Sequence, residues 1–178
     1  MSEEIRLAIL SPEQARDALA RIAEAEIGVR EEGGNNCGPR IREYQKATWL
    51  APDAWPWCAA YVDWCIMQWL ISPSVCHVLK VADAALWRPH TAGAFDLINW
   101  AKKHNLEVIG ENSPCRRGDI VVYDFSHTGI VAEDSERGEI TVYEGNTNGR
   151  GERDSESGDG VWRKERARSL VKAFIRLV

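Results

Sequence analysis

One of the five cysteines has the surroundings of a nucleophile. Cys58 follows Trp55-Pro56-Trp57 and opens a run of helix-forming residues. Apolar residues at helical spacing follow it, which predicts a buried helix with Cys58 at its N-terminal tip. The unpaired N–H groups and positive dipole end of such a helix favour the thiolate, the reactive form. A structural cysteine is the alternative until a base, and a group that orients the base, are found.

A histidine supplies a base that titrates near neutral pH, and the chain contains four: His77, His90, His104 and His127. His127 is the strongest candidate because it opens a predicted strand directly after a turn, with Gly129 leaving space beside it. One predicted strand later, Glu144 and Asn146 place two polar side chains at a strand end. Either one can accept a hydrogen bond from one ring nitrogen, which leaves the other nitrogen to take the thiol proton.

Helix signals occupy the first hundred residues. Ser11 and Gln14 form a capping box with Pro12 at the first helical position, and Gly28 closes this helix. Further helix starts are predicted at Pro39, Cys58 and Thr91.

The second half of the chain changes to β-rich runs. Five strands are predicted within residues 120–125, 127–132, 139–144, 161–163 and 170–176, with a long loop over 146–160. Helices followed by an antiparallel sheet define an α+β fold with N-terminal helices packed on a C-terminal sheet. We expect one domain over residues 1–178.

Composition narrows the classes of function. The chain has 178 residues, of which 44% are hydrophobic, enough for one domain with a real core. A net charge of −5 argues against a general nucleic-acid binder, and no apolar stretch is long enough for a membrane helix. The N-terminus does not have the pattern of a secretory signal, so we expect synthesis in the cytoplasm. The cysteine spacing does not fit a zinc site.

Four segments together carry a resemblance to a known family. They are WCAAYV at 57–62, GDIVVY at 118–123, HTGIV at 127–131 and EGNT at 144–147. In this order they resemble the CHAP family, the cysteine- and histidine-dependent amidohydrolases/peptidases of the papain-like group of cell-wall enzymes. The resemblance runs from about Ala25 to the C-terminus, so the helix within residues 1–24 is an addition to it.

The resemblance implies roles for individual residues. Cys58 matches the nucleophile and His127 the general base. Glu144 matches the residue that orients the histidine, and Asn146 a polar residue close to the same site; which of the two touches the imidazole stays open.

The remaining expectations concern substrate contacts and metals. Trp55 and Trp57 are predicted to line the substrate cleft. Asn36 and Tyr44 are candidates for a second oxyanion donor, with a solvent-facing loop as the alternative. Some CHAP domains bind calcium before the cysteine, but residues 33–38 have too few carboxylates and residues 152–159 lack the spacing. We therefore predict no metal and no cofactor.

The resemblance also implies the substrate, peptidoglycan, cleaved as an amidase or as an endopeptidase. Two settings fit a small hydrolase of this kind: a phage lysin, or an antibacterial effector injected into a rival's periplasm and matched by an immunity protein. We expect a monomer that does not insert into membranes. The alternatives are a cytosolic amidase acting on a small conjugate and a non-catalytic wall-binding module.

Overall fold

The computed structural model describes residues 9–149 and 158–178. Over these residues, helices come first and one antiparallel sheet follows, which confirms the α+β class. The helices are α1 Pro12–Ala25, α2 Pro39–Gln45, α3 Cys58–Trp69, α4 Pro73–Leu79, α5 Ala84–Trp87 and α6 Asp96–Lys103. The strands are β1 Glu107–Ile109, β2 Ile120–Tyr123, β3 Thr128–Val131, β4 Ile140–Thr147, β5 Gly160–Arg166 and β6 Val171–Arg176, with a short 3-10 helix at Arg168–Leu170. None of the described helices has the length and apolar character needed to cross a bilayer.

Helix α1 begins as predicted and is packed firmly on α3. Ser11 and Gln14 cap each other's backbone, and Pro12 occupies the first turn. Two long side chains of α3 donate hydrogen bonds to α1 carbonyls: Trp69 Nε1 to Ala15 at 2.8 Å and Tyr61 Oη to Ala23 at 2.8 Å. The first helix is therefore part of the core that supports α3.

The six strands lie in the order β1-β6-β2-β3-β4-β5, and every neighbouring pair is antiparallel. Alternate side chains give each strand two faces. One face, including Ile120 and Ile130, joins the core with the helices. The other face, including Val121, Val131 and Phe174, forms a second apolar cluster. Both faces of the sheet are thus covered at its centre.

Some predicted boundaries were wrong. Helix α6 begins at Asp96, because the Thr91 hydroxyl accepts the N–H of Gly93 in a turn and caps no helix. Strand β1 was not predicted, and β4 continues to Thr147 beyond its expected end. Residues 150–157, in the middle of the predicted loop, lie outside the described residues.

A buried cluster around Glu26 joins the first three helices; we call it the Glu26 cluster. Glu26 caps the C-terminus of α1, and its two oxygens accept hydrogen bonds from Arg40 Nε and Nη2 of α2, at 2.9 and 2.7 Å. Tyr44 Oη donates to the same carboxylate at 2.5 Å. Arg40 also lies over the Trp64 ring of α3, 4.4 Å from its centroid. Loss of this carboxylate would leave buried donors unpaired.

Candidate active site

Cys58 is the first residue of α3, as the sequence predicts. The residue before it, Trp57, makes no side-chain cap, so the first N–H groups of the helix stay open toward the thiol. The Cys58 side chain is a free thiol and the residue is 6% exposed. The positive end of the α3 dipole therefore lies beside this sulfur.

The absence of a side chain at Gly145 brings strand β4 against the tip of α3. A Cβ atom placed on Gly145 would lie 2.7 Å from the Trp57 ring and 2.8 Å from Tyr61. Contacts that short do not occur, so only glycine lets the strand approach this closely. Because successive side chains of a strand alternate, Glu144 lies on the face opposite to this contact. Gly145 thus places the strand that carries Glu144 beside the helix that carries Cys58.

His127 lies immediately before β3, after the bend at 124–126. Its ring is nearly parallel to those of Phe125 and Tyr123, with centroids 5.9 and 5.7 Å away. His127 Nε2 lies 2.9 Å from Glu144 Oε2. A carboxylate only accepts hydrogen bonds, so Nε2 carries the proton in this pair. The Cys58 side chain lies near enough to the imidazole to help raise its pKa, and Nδ1 is the ring nitrogen that the bond to Glu144 leaves free to face it.

Glu144 is fully buried and accepts four hydrogen bonds, which settles that it, rather than Asn146, contacts the imidazole. Tyr123 Oη donates to Oε1 at 2.5 Å, and Arg166 donates from Nε to Oε1 at 2.9 Å and from Nη2 to Oε2 at 2.6 Å. The fourth donor is His127. Gly129 leaves room for this side chain, because a Cβ there would lie 2.9 Å from Glu144 Cγ.

Tyr123 and Arg166 were missed as site residues by sequence reasoning. Tyr123 ends the segment GDIVVY, which indicated a strand and contributed to the family resemblance without pointing to the tyrosine itself. Arg166 lies at the end of β5, where Ile140 of β4 is its cross-strand partner. The sequence signal that could have pointed to Arg166 is residue type. A buried carboxylate such as Glu144 requires a cation nearby, and β5 carries basic residues.

The charges in this cluster shift two pKa values in opposite directions. Burial alone would lower the pKa of His127, but the negative charge of Glu144 and hydrogen bonds to Cys58 and Glu144 raise it to about 10. Burial alone would raise the pKa of Glu144, but His127 and Arg166 lower it to about 2. At neutral pH the pair is therefore imidazolium and carboxylate.

Two of the predicted substrate contacts were wrong. Trp57 is fully buried: its ring stacks on Tyr44 at 5.5 Å and its Nε1 donates to Glu31 at 2.9 Å. Tyr44 is also fully buried, and its hydroxyl is bonded to Glu26. Both side chains support the start of α3 and present no surface to a substrate.

Two other predicted residues keep an undecided role. Trp55 is half-buried, with its Nε1 bonded to the carbonyl of Ala51 at 2.9 Å. Asn36 is 8% exposed in the loop before α2 and has a left-handed backbone, with φ 57°. Their assignment as substrate contacts stays a prediction.

Asn146 follows the close contact at Gly145 and also has a left-handed backbone, with φ 55°. The pairing of β4 with β5 shifts register between Glu144 and Thr147, so Asn146 lies in an irregularity of the strand. Its half-buried side chain is close to Gly158, where a Cβ would lie 2.9 Å from Asn146 Oδ1. Its role at the site stays a prediction.

The other histidines lie elsewhere. His77 is exposed on α4, the ring of His90 contacts the carbonyl of Ala85, and His104 packs on Trp87 and Trp100. Within residues 9–149 and 158–178, no group of three or more His, Cys, Asp or Glu side chains is arranged to hold a metal ion. Part of the acidic segment 152–159 lies outside that range.

A cysteine at a helix tip and a histidine bonded to a glutamate of the following sheet thus lie on an α+β fold of the papain-like kind. The model of the CHAP domain matches residues 50–146, more than half of the chain, and includes all three residues. The chain belongs to the CHAP domain family, and the resemblance seen in the sequence is confirmed. A comparison with curated proteins finds no match. Membership indicates a hydrolase of a peptidoglycan amidase and peptidase family.

Proposed function

We propose that the protein cleaves an amide bond in peptidoglycan through a thioester on Cys58. The observation that supports this proposal best is the Cys58–His127–Glu144 arrangement, built from three elements that meet only in the folded chain. A wall-binding module without catalysis has no use for a buried imidazolium beside a thiol. Family membership supports the choice of peptidoglycan as the substrate.

The first step begins from an ion pair. His127 holds its proton through neutral pH, and in this proposal the reactive form of the site is a Cys58 thiolate that faces the imidazolium. This differs from the sequence-based expectation, in which the histidine removes the proton during attack. The thiolate adds to the amide carbonyl carbon, and the carbonyl oxygen becomes an oxyanion. The backbone N–H of Cys58, at an uncapped helix start, is placed to donate to it.

The second half of the reaction uses the proton held by His127. His127 Nδ1 donates it to the leaving nitrogen as the C–N bond breaks, which releases the amine and leaves a thioester on Cys58. The neutral imidazole then removes a proton from water, and the hydroxide attacks the thioester carbonyl. Breaking the C–S bond releases the acid and restores the thiolate–imidazolium pair. Glu144 holds the ring in one tautomer throughout.

Digestion of purified sacculi by wild type and Cys58→Ala, with mass spectrometry of the products, tests this proposal. We expect wild type to cleave the sacculi into products of which one carries a new amine and the other a new carboxyl group, and the positions of these groups identify the bond as an amidase or an endopeptidase site. Cys58→Ala should release none. Cys76→Ala, which removes a half-buried thiol on α4, is the matched control and should digest like wild type.

Undiminished digestion by Cys58→Ala would overturn the assignment of the nucleophile. Activity on small soluble amides with none on sacculi would overturn the substrate and favour the cytosolic amidase. A folded wild type that binds sacculi without cleaving any amide would favour the binding module.

The setting is proposed as a monomeric enzyme that reaches the wall after release, as a phage lysin does, or after injection, as an antibacterial effector does. Expression in a Gram-negative host distinguishes a wall target from a cytosolic one. We expect lysis when a signal sequence directs the protein to the periplasm and normal growth when it stays in the cytoplasm. Capture of an inhibitory protein that blocks the Cys58 site would favour the effector.

A further inference from the structure

The carboxylate of Glu144 has no freedom to rotate. Each of its oxygens accepts two hydrogen bonds: Oε1 from Tyr123 and Arg166, and Oε2 from Arg166 and His127. The guanidinium donates one bond to each carboxylate oxygen, and such a paired arrangement restricts the orientation of the carboxylate. With that plane fixed and Tyr123 on Oε1, the acceptor direction on Oε2 is fixed as well. The imidazole must align with it, which aims Nδ1 at Cys58.

The cluster also alternates in charge. In the reactive form, the Cys58 thiolate is negative, His127 positive, Glu144 negative and Arg166 positive, and these four charges sum to zero. Without the guanidinium the same form would carry one net negative charge in a buried site. Burial penalises net charge, so the cluster would then hold one more proton, and the thiol would re-form at a higher pH than in wild type.

The groups facing Glu144 come from every element around it. Tyr123 ends β2, His127 precedes β3 and Arg166 lies on β5, while Cys58 approaches the imidazole from α3. Tyr123 is neutral because burial and the adjacent Glu144 raise its pKa well above the usual range. Within residues 9–149 and 158–178, the Arg166 guanidinium is the cation that contacts Glu144 on the side away from the histidine.

We propose that Arg166 and Tyr123 are positioning residues for the reaction: together they fix the Glu144 carboxylate, and the charge of Arg166 lets the Cys58–His127 ion pair form without net charge. The inference rests on the proposed function for its importance in turnover. The ion pair itself can be measured without any substrate.

The experiment is the rate of Cys58 alkylation by iodoacetamide between pH 4 and pH 9, followed at each thiol by mass spectrometry. Cys37 and Cys76 are half-buried free thiols in the same molecule and serve as internal references. In Arg166→Met, we expect the acid limb of the Cys58 profile to move up by about one to three pH units, because a cation near the cluster is lost. The profiles of Cys37 and Cys76 should not move.

Two further variants separate charge from geometry. Arg166→Lys keeps the cation but loses the paired bonds, so the acid limb should stay in place while the plateau rate falls. Tyr123→Phe removes one neutral hydrogen bond, and we expect a fall of a few-fold in the plateau with the limb unchanged. These two variants also test the proposal if Arg166→Met does not fold, since both retain more of the buried network.

The matched control is Arg40→Met, which removes the guanidinium from a buried Glu–Arg–Tyr group of the same composition in the Glu26 cluster. If loss of a buried arginine network has only a structural effect, Arg40→Met should lower the stability of the protein and leave the acid limb of the Cys58 profile at its wild-type pH. The proposal would be overturned if the acid limb of the Cys58 profile lay at the wild-type pH in Arg166→Met. It would also be overturned if the limb moved by the same amount in Arg40→Met.

Digestion of sacculi is scored separately on the same variants. If the acid limb of the Cys58 profile moves in Arg166→Met but the wild type does not cleave peptidoglycan, the positioning role is supported and the proposed substrate is overturned. Normal digestion by Arg166→Met with an unshifted limb would sustain the substrate and overturn the positioning role.

Discussion

Two glutamates in this protein are bound by the same set of groups and have different surroundings. Glu26 and Glu144 each accept a paired bond from an arginine and a bond of 2.5 Å from a tyrosine hydroxyl. At Glu26 the arginine side chain is 37% exposed, whereas at Glu144 it is 4% exposed. Only Glu144 is also in contact with a histidine, His127, which lies beside Cys58.

The comparison shows that Glu, Arg and Tyr together do not define a reactive site. The Glu26 cluster fastens three helices and opens toward solvent at Arg40. The Glu144 group, closed from solvent, uses the same bonds to hold an imidazole in one orientation. The two groups differ in the added histidine and in the enclosure of the arginine. The two groups meet at Trp57, which stacks on Tyr44 and lies against Gly145.

Replacing each glutamate by glutamine should give the largest difference between the two groups, with a loss of activity at one and a loss of stability at the other. Glu144→Gln removes the charge that stabilises the imidazolium, and we expect kcat/KM on peptidoglycan to fall by about 10²- to 10⁴-fold. Glu26→Gln should lose about 1–3 kcal/mol of stability from the disrupted buried bonds, while its activity per folded molecule stays near wild type. Steady-state kinetics with urea unfolding on both variants measures this. Equal losses of activity would abolish the distinction between the two groups.

The two groups should also respond to opposite ends of the pH scale. The pKa of His127 is about 10 in the folded protein and 6.5 without its partners, so its stabilisation is complete below pH 6.5 and is lost as pH rises toward 10. Hydrogen bonds from Arg40 and Tyr44 outweigh burial and lower the pKa of Glu26, so its stabilisation is lost only as pH falls below the usual glutamate range.

Urea unfolding at pH 6, 8 and 9.5 checks the alkaline side of this comparison. Wild type should lose on the order of a few kcal/mol across the series, and His127→Gln should show a much smaller decline. Parallel curves over the whole alkaline range would contradict the buried imidazolium.

Adding one methyl group at the junction of the two groups tests how tightly they are coupled. Gly145→Ala places a Cβ within 2.8 Å of Trp57 and Tyr61, so the strand and helix must separate. We expect about 1–3 kcal/mol of destabilisation and a clear loss of activity, because Glu144 moves away from the tip of α3. Gly110→Ala is the matched control, since its Cβ would meet no atom within 4 Å. Thermal melts and activity assays should show no change in the control.

A third buried carboxylate has an arginine partner but lacks a tyrosine. Asp63 accepts one bond from Arg88 at 3.0 Å, and its Oδ2 has no partner among the described residues. Burial outweighs Arg88 and raises the pKa of Asp63 to about 7. A raised carboxyl pKa makes stability fall as pH rises from about 4 to 7.

Asp63→Asn removes that titration and should flatten the decline, by up to about 3 kcal/mol at pH 7 relative to pH 4. Urea unfolding at the two pH values compares the variant with wild type. An unchanged slope would show that a second donor satisfies Asp63 in solution.

Local signals in the sequence predicted much of the site. The capping box at Ser11, the helix start at Cys58 and the strand beginning near His127 depend on neighbouring residues, and all three are present. The choice between Glu144 and Asn146 did not follow from the strand pattern. Side chains two apart on a regular strand share a face, and only the irregularity at Asn146 separates them.

Other features depend on contacts between distant parts of the chain. Arg166 reaches Glu144 through the pairing of β4 with β5, whose register is not written in either strand alone. Trp57 and Tyr44 resemble cleft residues by type and position, but their burial follows from the packing of α2 against α3 and β4. The apolar pattern of the sequence does not determine whether the side chain of a tryptophan near a turn points into the core or toward the solvent.

The position of Arg166 has a consequence for cutting or transplanting this enzyme. The match to the family model ends at residue 146, twenty positions before the guanidinium that balances Glu144. A fragment trimmed to that match would retain the cysteine, histidine and glutamate yet lose β5 and also β6, which lies between β1 and β2 in the sheet. Fusion partners and tags therefore belong outside residues 12–176, and a shortened module is expected to be inert even though its reactive residues are intact.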